Sequence, residues 1–134
     1  MMKDIPVRRV EGVAVAIAPL TDDPEESHLE VFLINLKNEP LEHVLVASRG
    51  YGERAGEEIK TSVLRHYYEL IPARTACKVE NIYPELSDIN HEFWVSFSLD
   101  NFLFDRKYTF VPGSISDDLF GSIPLLGRKG VMIG

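Results

Sequence analysis

The stretch whose residue types and spacing come nearest to a ligand-binding pattern is Gly50-Tyr51-Gly52-Glu53-Arg54-Ala55. It follows an apolar run at 44–48 and fits the dinucleotide-binding pattern G-x-G-x-x-G/A. In that chemistry the glycines permit a tight turn and bring the backbone against a pyrophosphate at a helix N-terminus. An acid, Glu69, lies downstream, roughly 20 residues on, near where a ribose contact belongs. A nucleotide-binding reading therefore uses Gly50, Gly52 and Ala55. Three features oppose it. Gly56, Glu57 and Glu58 follow at once, and the two acids would repel a diphosphate. Glu69 would fall on the helix itself rather than after a second strand. No second helical segment is present to complete a doubly wound sheet. A glycine-rich loop between two strands is the preferred reading. Arg49, Gly50, Tyr51, Gly52 and Arg54 then form a candidate partner-binding loop, since loops at strand ends are common binding positions.

Other chemistry-bearing residues do not assemble. His28, His43, His66 and His91 are scattered, with no H-E-x-x-H or close pair, so no metal site is expected. Asp22-Asp23-Pro24-Glu25-Glu26 lacks the alternating ligands and turn glycine of a calcium loop. Asp117-Asp118 reads as a surface pair starting a helix or turn. Ser48 precedes Arg49-Gly50 and is not in the G-x-S-x-G elbow of a hydrolase. Cys77 alternates with Thr75 and Val79, a pattern in which cysteine is usually a small core residue. It could meet His66 only across strands. Arg49, Arg65 and Arg74 read as surface arginines of separate strands. Trp94 with Tyr67 and Tyr68 could form an exposed aromatic patch for a partner, unless the C-terminal tail covers Trp94. No catalytic residue and no cofactor is assigned.

The elements that must carry these residues are mostly strands. Val13, Val15 and Ile17 alternate with Ala14, Ala16 and Ala18, and the small alanines call for something packed closely against them. Residues 29–34 have little polar relief, as in a central strand. Turn chemistry at 35–40 leads into a third strand at 41–48. Phe93, Val95, Phe97 and Leu99 alternate with Glu92, Trp94, Ser96 and Ser98, and a similar strand runs from 102 to 111. Asp100-Asn101 between them is a two-residue turn candidate without glycine. Residues 57–71 are ambiguous. Ile59, Val63, Tyr67 and Leu70 make a helical stripe, whereas Thr61, Val63 and the tyrosine pair favour a strand. The segment 112–134 is glycine-rich and is expected to be an irregular tail.

Composition sets outer limits. The 134 residues include 14 Lys plus Arg against 21 Asp plus Glu, a formal charge of −7, and 45% are hydrophobic. The chain is too apolar to be disordered and too acidic to be a general binder of nucleic-acid backbones. Its lone cysteine rules out an internal disulfide. No apolar stretch approaches the roughly 20 residues of a membrane-spanning helix. The apolar run at 13–18 alternates large with small and leads to Pro19 and an acidic cluster, unlike a secretory signal. A cytoplasmic location is expected.

Two resemblances follow from particular residues. The stretch 31–46, with Asn35-Leu36-Lys37-Asn38-Glu39-Pro40-Leu41 between two apolar runs, resembles the strand-turn-strand hairpin of immunoglobulin-like sandwiches. Leu70-Ile71-Pro72-Ala73 before the alternating 75–79 is similar to a later step in those domains. Leu33-Ile34-Asn35, Val46-Ala47-Ser48-Arg49-Gly50-Tyr51, Ile59-Lys60-Thr61-Ser62, Arg65-His66, Ile71-Pro72-Ala73 and 105–110 together resemble a family of small bacterial proteins. Some members of that family carry the label phenylalanyl-tRNA synthetase alpha subunit. The resemblance implies a β-rich fold and, through the label, a translation-associated factor. It supplies no catalytic residue. The expectation is a single all-β domain over 1–134, an antiparallel immunoglobulin-like sandwich of about seven strands. Its expected role is that of a non-catalytic interaction module with a protein partner, and tail pieces such as 123–126 could add to a neighbouring copy.

Overall fold

The computed structural model describes residues 7–20 and 28–134, so the acidic cluster 22–26 lies outside the described residues. The described strands are β1 (Val7–Arg8), β2 (Val13–Pro19), β3 (Leu29–Asn35), β4 (Leu41–Arg54), β5 (Glu57–Lys60), β6 (Leu64–Ile71), β7 (Thr75–Ile82), β8 (Asn90–Leu99), β9 (Phe102–Phe110), β10 (Gly121–Ile123) and β11 (Arg128–Ile133). One sheet runs β1-β9-β8-β4-β5, with β6 also beside β4, and the other runs β10-β11-β2-β3-β7. Pairing is antiparallel except for the short parallel contact of β1 with β9. Among the described residues, no helix is long and apolar enough to cross a membrane.

The period-two pattern explains the layers. Val13, Val15, Ile17, Val31 and Leu33 meet Val44, Val46, Phe93, Val95 and Phe97 in one buried core between the sheets. The Tyr108 hydroxyl, also buried, donates to the Val13 carbonyl at 2.6 Å and ties β9 to β2. Seven strands form the frame: β2, β3, β4, β6, β7, β8 and β9. The first, second and fifth of these share one sheet, and the third, sixth and seventh share the other. This is the immunoglobulin-like Greek key, with the fourth strand, β6, placed beside β4. The remaining four strands are additions to that frame.

Three local expectations meet the structure differently. Asp100 and Asn101 both take positive φ, 52° and 66°, so the β8–β9 turn forms without glycine. The tail, expected to be irregular, contains β10 and β11, and β11 extends the second sheet by pairing Val131 with Ile17. Ile123 and Leu126 pack on Ala14, Ala16, Phe32 and Ile34, the outer face of β2 and β3. The small alanines are there to admit this cover. Finally, 57–71 is β5 and β6, both lying along the same side of β4.

Candidate functional site

The glycine pattern at 50–55 belongs to a hairpin and not to a phosphate turn. Strand β4 continues without a break through Arg54, turns at Ala55 and Gly56 (φ 53° and 80°), and returns as β5. A dinucleotide turn opens a helix, and here β4 returns as β5 instead, so Gly50, Gly52 and Ala55 do not form that turn. The two strand glycines serve packing. A Cβ on Gly50 would lie 3.0 Å from both Ile89 Cδ1 and Thr61 Cγ2, and one on Gly52 would lie 3.1 Å from Ile89 Cβ. Ile89 is buried beneath the ribbon and takes the space those side chains would fill.

The arginines of the predicted loop are held by acids. Arg54 donates to both oxygens of Asp88, at 3.0 and 2.5 Å, and to the Glu85 carbonyl. That hydrogen bonding holds the Asp88 carboxyl below its usual range. Arg49 donates to Glu92 at 2.6 Å on the outer surface of the sheet, and Lys107 approaches the same carboxylate at 3.4 Å. Burial pushes the Glu92 carboxyl up, but Arg49 and Lys107 together outweigh it, and the group ends below the ordinary carboxylate value. Arg74 donates to the Leu36 carbonyl at the other end of β4. The three arginines Arg49, Arg65 and Arg74 therefore do not converge.

A polar cluster not foreseen from the sequence lines the mouth between the sheets. The Ser48 hydroxyl donates to Glu80 Oε1 at 2.6 Å, and His66 Nε2 bonds the same oxygen at 2.8 Å. Ser48, Glu80 and His91 line a cavity of about 230 Å³ with Leu64, Ile82, Leu86 and Phe93. The order is Ser–Glu–His. No histidine takes the serine proton, so the relay of a hydrolase is not assembled. His91 bonds the Leu86 carbonyl at 2.6 Å through Nε2, which therefore carries its proton, and burial lowers its pKa. Cys77 does not pair with His66; it lies beside Tyr68, and burial pushes both groups up, Tyr68 to about 12. Among the described residues, no group of three or more His, Cys, Asp or Glu could hold a metal ion.

The outer face of the first sheet is different in kind. Cross-strand register places Tyr67, Leu45, Ser96 and Asp105 in one row, and Arg65, Ala47, Trp94 and Lys107 in the next. Tyr67 is 61% exposed, Trp94 47% and Leu45 38%. The tail covers the opposite sheet and leaves Trp94 open. The Trp94 indole donates to Asp105 while the Lys107 ammonium lies 5.3 Å from its ring centre, so the ring is held in place by its neighbours. Tyr68 is not part of this patch; it points inward and its hydroxyl donates to the Lys78 carbonyl. Alternation in 93–99 sets Trp94 opposite the core residues, but nothing local singles out Leu45, whose register with Tyr67 comes from the pairing of β4 with β6. Compared with known proteins, the chain matches no family model and no curated sequence.

Proposed function

We propose that the protein is a non-catalytic, cytoplasmic interaction module that docks a partner protein on the outer face of the sheet formed by β6, β4, β8 and β9. The observation that carries this reading is the uncovered row-and-neighbour arrangement of Tyr67, Leu45 and Trp94. Trp, Tyr and Arg are the residue types that anchor protein interfaces, and apolar groups clustered on a monomer surface mark such sites. The charges around them are of both signs, Arg49, Arg65 and Lys107 with Glu42, Glu69, Glu92 and Asp105, on a chain whose net charge is −7. A face of mixed charge around an apolar centre favours a partner surface that is apolar at its centre and charged at its rim. A free cysteine suits a reducing compartment. A synthetase subunit is the partner class that the family resemblance implies.

The test is a photo-crosslinking amino acid placed at Leu45 and, as a control, at Met132 on the other sheet. Defined adducts at position 45 that are absent at 132 and disappear when Trp94→Asp is added support the reading. Equal adducts at both positions, or none at 45, overturn it.

A further inference from the structure

Strand β6 pairs with β4 on one side, and none of the described strands pairs with its other side. Edge strands in natural proteins are usually blunted by proline, bulges or dense charge. Between Leu64 and Ile71 there is no proline, and the register with β4 runs without a shift. Val63, Leu64, Tyr67 and Leu70 are all exposed, at 47, 47, 61 and 50%. A regular, unpaired edge that exposes apolar side chains and carries only Arg65 and Glu69 as opposite charges is a template for another strand.

The sequence of the edge, Leu64-Arg65-His66-Tyr67-Tyr68-Glu69-Leu70, is complementary to itself when reversed. With a two-fold axis at Tyr67, an antiparallel second copy places Tyr67 opposite Tyr67. Arg65 then faces Glu69 of the second copy, and Glu69 faces Arg65 of the second copy. Leu64 faces Leu70 in the same register, at both ends. Directly opposed aromatic and opposite-charge pairs both favour an antiparallel pairing. A two-fold axis through a residue pair is a normal feature of isologous interfaces.

We propose that β6 is a self-pairing edge, and that two copies of the chain join through antiparallel β6–β6 pairing centred on Tyr67, forming one continuous sheet. The inference concerns main-chain pairing at the edge and does not rest on the partner reading above. It also differs from an association through the tail: β10 and β11 already belong to the second sheet, and Ile123 and Leu126 are used within the chain.

Sedimentation equilibrium of the full chain, across micromolar to submillimolar concentrations, tests it. The expected species is a dimer. Glu69→Arg sets two like-charge pairs at the axis and weakens the dimer about ten- to a hundredfold. The double exchange Arg65→Glu/Glu69→Arg restores opposite pairs and recovers the dimer. That recovery also shows that the single variant failed by charge and not by misfolding. In a Cys77→Ser background, Tyr67→Cys forms a self-disulfide under mild oxidation, because opposed strand positions have Cα atoms about 4.5–5.5 Å apart. Ser96→Cys does not. A monomer throughout the range, a dimer indifferent to Glu69→Arg, or a double exchange that stays monomeric would overturn the proposal.

Discussion

Ile89 lies directly under Gly52, so close that a Cβ added to the glycine would sit 3.1 Å from the isoleucine Cβ. The second glycine of the apparent nucleotide motif is thus a packing device that lets the β4–β5 ribbon lie flat over Ile89. Gly52→Val should destabilise the fold by about 1–3 kcal/mol through overpacking, and Ile89→Ala by about 2–5 kcal/mol through loss of buried volume. Because each change relieves the other, the double variant should lose less than the sum. Urea unfolding of the three variants checks this.

Stability should fall in two stages as the solution is acidified. The pKa of His91 is lowered by burial, so its contribution is present above the ordinary histidine range near 6.5 and is lost as pH falls through the folded value. Burial pushes the Glu30 carboxyl up, but Lys78 and Arg128, each 2.8 Å away, outweigh it and leave the group below its usual value. Glu92 behaves in the same way. Their contributions are present above about 4.5 and disappear as pH falls through the lowered values. Thermal unfolding from pH 8 to 3 should show both limbs. His91→Gln should flatten the upper one, and Glu30→Gln should reduce the lower one.

The thiol of Cys77 should be sluggish. Burial raises its pKa, with Tyr68 opposing only in part, and the thiolate is the reactive form. Alkylation by iodoacetamide at pH 8 should be at least about tenfold slower in the native chain than in urea. Tyr68→Phe should leave the native rate low, because burial is the larger cause.

The two sheets should respond differently to surface and cover substitutions. Trp94→Ala removes a half-exposed ring and should change stability by no more than about 0.5–1 kcal/mol, the range for a surface site with local contacts. Ile123→Asp places a charge where the tail covers Ala14, Ala16 and Phe32, and should cost about 2–4 kcal/mol. Its folded form should keep the Trp94 emission maximum unchanged, since the tail does not touch that ring. A red shift in folded Ile123→Asp would show that tail and tryptophan are coupled.

Alternation of side chains is a local property, so the strands at 13–19, 29–35 and 90–110 were legible in the sequence, and with them the sandwich. The alanines of β2 likewise announced a close cover. Their spacing says nothing about which segment supplies it, and the structure brings Ile123 and Leu126 from more than 100 positions away. Residues 57–71 fit both a helical stripe and a strand by pattern, with Thr61, Val63 and the tyrosine pair leaning to the strand. What decided between them was the open side of β4, whose backbone groups β5 and β6 satisfy. The same distinction separates the motif from the site. Two glycines at the right spacing look alike whether the close neighbour is a phosphate or Ile89, because glycine records only that something is near. Ser48, His66 and Glu80 meet at one carboxylate oxygen, and Leu45 and Tyr67 share one row, solely through pairings that join distant parts of the chain. Sequence by itself determined which residues alternate and which turns are allowed; cross-strand register, a long-range property, decided what each exposed side chain stands beside.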